Sequence, residues 1–304
     1  MKLEKLREEL ESKRKQVVIL NVAGYACAGI ALVLLITSVL GSGFNLFSGI
    51  PFFFLLIGAG VVLLFLGNRE KVNYTSYIKK EFAEAVFKEL FENVSFHPED
   101  GFSREYLRGL ELEYLGDSSK SQDLLTGSYH GVNFKMADLL IEETTTDGDG
   151  NSSTSTLFKG QWLEFTFNKD FTSYMQIRPK KLLFKNKKPY KWFTDRPEIE
   201  LVKLENELFN QSFEVYSSNA HEVYYLLTPH FMEKLLALSK RWDSKIKFGF
   251  IDNQFHVVIN SGKDLFEVSV WEPLNEEYIT QVKSEVEIIQ YIIDTLDLTN
   301  RIVV

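Results

Sequence analysis

Charge is missing from one long stretch of this 304-residue chain: residues 17–67 contain no Asp, Glu, Lys, Arg or His. No ordinary soluble core element is that long and that bare. There is one cysteine, Cys27, inside the stretch, so an intramolecular disulfide and a cysteine-rich zinc site are both excluded. No Gly-x-Ser-x-Gly elbow occurs. The run Asn260-Ser261-Gly262-Lys263 lacks the glycine that opens a phosphate loop. The five histidines, His97, His130, His221, His230 and His256, show no ligand spacing, and surface or capping roles are expected for them. A broad basic surface is also missing. Net charge is −8, which argues against nucleic acid as a partner.

The uncharged stretch divides into two apolar runs, residues 17–40 and 48–67. A bilayer core of about 30 Å needs about 20 residues of helix, so each run is long enough to cross once. The first run is too long for a secretory signal, and a second follows at once. The link at 41–47 is short and uncharged, which makes the two helices antiparallel. Lys13, Arg14 and Lys15 abut the first run, and Arg69, Lys71, Lys79 and Lys80 follow the second. The positive-inside rule then places both chain ends in the cytoplasm. Small residues (Ala23, Gly24, Cys27, Ala28 and Ala31 against Gly58, Ala59 and Gly60) suit close helix packing in lipid. Packing of the two spans on each other, or oligomerisation through the same face, would both use them. Residues 1–16 read as a cytoplasmic helix, with Leu3, Leu6 and Leu10 on one face.

Beyond residue 67 the pattern is that of a soluble region. Apolar groups at three- and four-residue steps make 68–93 helical, and the turn signals His97-Pro98 and Asp100-Gly101 close a stalk assigned to 68–97. Residues 98–304 then form a cytoplasmic domain. Strands are expected at 124–129, 132–142, 157–168, 174–178, 200–204, 212–217, 245–251, 255–260 and 265–271. Helices are expected at 229–242, with Thr228 as N-cap, and at 275–298. Residues 144–156, TTTDGDGNSSTST, read as a polar loop. The fold class is α+β: a two-helix transmembrane hairpin, then a mainly antiparallel sheet with packed helices.

These pieces resemble the bacterial domain-of-unknown-function family 3137. The likeness rests on the two-span hairpin and on DLLTGSYHGVNF (123–134), LFKGQWLEFTFNKDF (157–171), ENELFNQSFEVYSSNAHEVYYLLTPHFMEKLLAL (205–238) and DLFEVSVWEPL (264–274). Phe209, Phe213, Val215, Tyr225, Leu226, Thr228, Pro229 and Phe231 lie in its most specific part. The resemblance implies an inner-membrane protein of uncharacterised role, often encoded near LemA-family membrane proteins, and it brings no catalytic residues.

Two local features invite chemistry. Asp147-Gly148-Asp149-Gly150-Asn151 imitates the start of a calcium loop. Its sixth position is Ser152 where glycine is needed and its twelfth is Phe158 where glutamate is needed, so no metal is assigned. The stretch 178–196 gathers Arg178, Lys180, Lys181, Lys185, Lys187, Lys188, Lys191 and Arg196 against Asp195 alone, with Phe184, Tyr190, Trp192 and Phe193 interleaved. Arg178, Lys180, Lys181, Lys185, Lys187, Lys188, Lys191 and Trp192 are the candidate lipid-surface contacts, since basic and aromatic groups both favour an anionic interface. A solvated strand and turn is the plainer reading of the same residues. The sequence therefore points first to a non-enzymatic, membrane-anchored interaction or regulatory module. Its partners would be membrane lipid and a membrane protein or a second copy of itself, and it would carry no cofactor. An anionic-lipid surface binder is the alternative.

Overall fold

The computed structural model describes residues 2–40, 46–167, 169–180, 199–243 and 245–299. The fold is α+β, with two long apolar helices ahead of a nine-stranded antiparallel sheet. The chain forms two compact units, one of residues 1–86 with 267–281, the other of 87–266 with 282–304.

In the first unit α1 (Lys2–Leu40) is one unbroken helix, so the N-terminal amphipathic stretch and the first apolar run are continuous. α2 (Leu46–Tyr77) passes through a π-helical turn (Ile78–Ala83) into α3 (Glu84–Leu90). Two of these helical stretches are long and apolar enough to cross a membrane. The two pack through their small residues. A Cβ at Gly24 would stand 2.7 Å from Leu64 Cγ, one at Gly60 3.3 Å from Cys27 Cβ, and one at Gly67 2.7 Å from Asn21 Oδ1. These pairs fix an antiparallel register in which the charged flanks of both helices, Arg14–Lys15 and Arg69–Lys71, emerge at the same end. Gly58 meets nothing within 4 Å, so the interface uses Gly60 and leaves Gly58 outside it. Beyond the apolar runs, Leu10, Tyr74, Ile78, Phe82 and Val86 are buried, as are Val270, Leu274 and Tyr278 of 267–281. Phe82 and Tyr278 have ring centroids 6.2 Å apart.

The second unit is built on the strands β1 (Glu92–His97), β2 (Ser118–Tyr129), β3 (Val132–Thr146), β4 (Ser152–Thr166), β5 (Met175–Pro179), β6 (Glu200–Val202), β7 (Phe213–Ser217), β8 (Ile246–Ile251) and β9 (Gln254–Ile259). Their order across the sheet is β1-β2-β3-β4-β9-β8-β5-β7-β6. Central strands are buried on both faces, hence the near-continuous apolar run of β8. α4 (Arg104–Leu110) covers one face, packing Leu107 and Leu110 with Leu112 and Leu115 over Ala137, Leu139, Trp162 and Val258. The other face carries α5 (Glu207–Ser212) and α7 (Pro229–Arg241), and α6 (Ala220–Leu226) and the later turns of α8 (Glu276–Leu296) belong to the same unit. There Phe231 of α7 closes an aromatic cluster with Phe167, Phe250 and Phe255. As expected, Thr228 caps α7, its Oγ1 accepting the Phe231 N–H at 3.3 Å. Asp252 and Asn253, both at positive φ, make the tight turn between β8 and β9.

Three readings of the sequence change. The helix ends at Leu90 and residues 92–97 are a strand, not stalk. Residues 144–156 are mostly a β-ribbon: Thr144 pairs with Thr154 and Thr146 with Ser152, closed by a turn whose Asp147 carboxylate accepts the Asn151 and Asp149 N–H groups. Residues 265–271 form no strand, because Phe266 sits at φ 56° and the N–H groups of Leu265 and Phe266 go to the carboxylates of Asp138 and Glu285 instead of a ladder.

Candidate functional site

The first candidate belongs to the helical unit and surrounds the charged end of α1. Arg14 holds Glu11 through Nε and Nη2, at 2.8 and 2.6 Å, and donates from Nη1 to the Val270 carbonyl at 3.0 Å. Glu11 in turn accepts the Leu274 N–H at 3.2 Å, and Arg7 pairs with Glu276. A cleft of about 560 Å³ opens here between Arg7, Glu8, Glu11, Ser12 and Lys15 of α1 and residues 273–276. Its charges are of both signs and largely matched to each other.

The second candidate is a polar basin of about 360 Å³ on the α4 face of the sheet, lined by Asn93, Thr126, Asn133, Lys135, Glu164, Thr166 and Gln254. Sheet register assembles it, for Thr126, Lys135, Glu164 and His256 are direct cross-strand neighbours on β2, β3, β4 and β9. Glu164 is buried at the floor, with Lys135 Nζ 2.8 Å from one oxygen and the Tyr106 hydroxyl donating to the other. Burial first, and then this bond to Glu164, raise the Tyr106 phenol well above its ordinary value, so it stays protonated. Each Glu164 oxygen thus has its own partner. Asn133 is exposed and the Gln254 amide half-buried at the rim. This arrangement suits hydrogen bonding to a partner, and nothing in it is a prepared nucleophile.

His256 corrects the expectation of surface histidines: it is fully buried, with Nδ1 accepting from Trp162 Nε1 at 3.4 Å. Desolvation pushes its pKa down to about 4. Asp138, buried on the opposite face, moves the other way, to about 7, again through desolvation. It accepts from the Leu265 N–H and Gln161 Nε2. These shifts oppose each other in stability. Between about pH 4 and 7 folded Asp138 keeps a proton that the unfolded chain has lost, so its contribution falls as pH rises. Between about pH 6.5 and 4 the unfolded chain protonates His256 and the folded one does not, so that contribution falls as pH drops. Asp138→Asn should therefore unmask acid sensitivity, with stability falling by about 2 kcal/mol from pH 7.5 to pH 5 while the parent changes little. Urea unfolding at the two pH values measures this, and identical pH profiles would refute it.

Of the sequence-chosen lipid contacts, Arg178 lies on β5 opposite Glu214 of β7, and Lys180 is exposed just after β5. Lys181, Lys185, Lys187, Lys188, Lys191 and Trp192 fall outside the described residues. Among the described residues, no group of three or more His, Cys, Asp or Glu side chains could hold a metal ion. Sequence reasoning missed the polar basin and the Arg14 collar. Both are built by residues far apart in the chain, and only the period-two placement of Lys135 and Glu164 on strands hinted at the first.

Comparison with known proteins gives one family and one solved structure. The family described as a protein of unknown function (DUF3137) matches residues 156–298. The matched DUF3137 segment runs from β4 into α8 and so includes residues of both units. No curated protein matches the chain. Among solved structures, the crystal structure of the mycobacterial trehalose monomycolate transport factor A, TtfA, is a loose neighbour. The two share 11% sequence identity over 72% of this chain and 96% of that one, with a TM-score of 0.36.

Proposed function

We propose that the chain is a membrane-anchored binding module of the bacterial cytoplasmic membrane. Its helix hairpin crosses the bilayer, both ends lie in the cytoplasm, and the sheet-bearing unit binds a partner instead of catalysing a reaction. One observation supports the anchor above all: the apolar helices are bare on their outer faces. Only 22% and 11% of the two apolar windows are buried, and Ile19, Val33, Phe54, Leu55 and Phe65 are each more than half exposed. A core helix of a soluble protein would hide them. In water each such side chain forfeits about 1.5–3 kcal/mol of available burial, and lipid removes that cost. Lys13, Arg14, Lys15, Arg69 and Lys71 at one end favour the cytoplasmic orientation. For the binding role, the support is the basin, where Lys135 and Tyr106 saturate Glu164 and the amides at the rim remain available.

Two measurements test this reading. The protein should resist alkaline carbonate extraction, and a Gly148→Cys probe in a Cys27→Ala background should react with an impermeant maleimide in inside-out vesicles but not in intact cells. Extraction, or labelling from outside, would overturn the anchor or its orientation. For the binding role, a partner cross-linked in cells should be lost when Asn133 and Gln254 are replaced by Arg. Recovery of the protein alone, in parent and variant, would count against an interaction module.

A further inference from the structure

Trp271 is more than half exposed, at 55%, although its neighbour Val270 is buried. Its height along the helix hairpin is fixed by hydrogen bonds. Val270 O is held by Arg14 and Leu274 N by Glu11, three and six residues before the apolar run begins at Val17. Arg14 precedes Val17 by three residues, about 4.5 Å along the helix axis. On the facing helix the second apolar run ends at Gly67, which meets Asn21, and Lys13 Nζ lies 4.2 Å from the Tyr77 ring centroid further out. The headgroup layer adds about 5–7 Å on each side of the hydrocarbon core. Within that layer an indole is most favourably placed with its ring in the apolar boundary and its N–H among headgroups.

We infer that residues 270–275 rest in the interfacial layer of the bilayer that holds the two helices, with Trp271 as the anchor. The inference builds on the membrane-anchored reading above. Charge does not select a lipid here. Lys13 pairs with Glu9 at 3.0 Å and Arg14 with Glu11 at 2.6 Å, so the occupant is the headgroup–acyl boundary itself and not a particular anionic headgroup. Trp271 places an exposed aromatic ring beside this end of the hairpin, on a segment more than 250 residues from Arg14 in sequence.

The test uses the full chain, Cys27→Ala, in vesicles of phosphatidylethanolamine and phosphatidylglycerol doped with nitroxide lipids. An environment-sensitive dye is placed at Trp271→Cys and, separately, at Phe65→Cys within the apolar run. Both labels should be quenched by nitroxides, and iodide should quench the 271 label at least twofold less than the free dye–cysteine adduct. Quenching at 65 with full iodide access and no nitroxide quenching at 271 would overturn this inference and leave the anchor standing. No nitroxide quenching at either position would overturn the anchor itself. Independently, Trp271→Ala should remove most of the nitroxide-quenchable tryptophan emission of the unlabelled protein, and its persistence would assign the contact to another tryptophan and refute the proposal.

Discussion

Replacing Glu113 by alanine should destabilise the sheet-bearing unit by about 3–5 kcal/mol, whereas replacing Glu113 and Lys247 together by leucine and methionine should cost far less. The two side chains form an ion pair between the segment after α4 and strand β8, and they are only 9% and 6% exposed. Each charge has lost most of its hydration, and their attraction offsets that loss only while both are present. Alanine at 113 takes away the carboxylate that Lys247 bonds, and Lys247→Met takes away the ammonium that Glu113 bonds. The apolar pair removes both desolvation penalties at once. A double-mutant cycle on unfolding in detergent would show strongly non-additive losses. Additive single losses would mean that water already reaches the pair.

Gly160→Ala should be comparably damaging for a different reason. The position lies in β4 where β9 approaches so closely that a Cβ would stand 2.0 Å from the Ile259 carbonyl oxygen and 2.8 Å from the Ser261 nitrogen. The obstacles are backbone atoms, which cannot turn aside as a side chain would. Relief requires the strands to part, weakening the bonds from the Gly262 N–H to Lys159 O and from the Lys159 N–H to Asn260 Oδ1. Overpacking of this kind costs about 3 kcal/mol or more, a fall of about 6 °C or more in Tm for a unit of this size. The matched control is Gly148→Ala in the exposed turn after β3. A Cβ there meets nothing within 4 Å, and the change should stay within about 0.5 kcal/mol. Equal effects from the two substitutions would refute the close-approach argument.

Much of the architecture could be read from residue pattern because burial imposed it directly. The uncharged run marks the two apolar helices, and the alternation in 157–168 marks β4. Pro229 after Thr228 marks the start of α7, and Asp252-Asn253 marks a hairpin turn. The misreadings have equally local causes. Helical spacing runs on through Phe87 and Leu90, and nothing nearby announces that the next residues pair with β2 across a bulge at Asn93. Residues 265–271 alternate like a strand, but Asp138 and Glu285 capture the amides that a ladder would need. In 144–156 the polarity of Thr and Ser obscured their fitness for paired strands. The candidate sites were the least legible part. The basin depends on sheet register, the collar on Arg14 reaching residue 270, and the basic stretch chosen from the sequence lies mostly outside the described residues.

The helical unit closes on itself with residues from both ends of the chain, 1–86 and 267–281. This makes the helix hairpin a poor cassette. Cutting the chain after α2 to release a soluble fragment would leave Tyr278 without the Phe82 ring, and Val270 and Leu274 without Arg14 and Glu11. Such a fragment should associate or aggregate, and one also lacking 267–281 would break α8. In evolution the same closure discourages swapping this hairpin for another, because any replacement would have to fit a segment encoded some 250 residues downstream. Lineages that exchange membrane anchors freely should be rare among chains built this way, and substitutions at Arg14 and Glu11 should track those at 270–274.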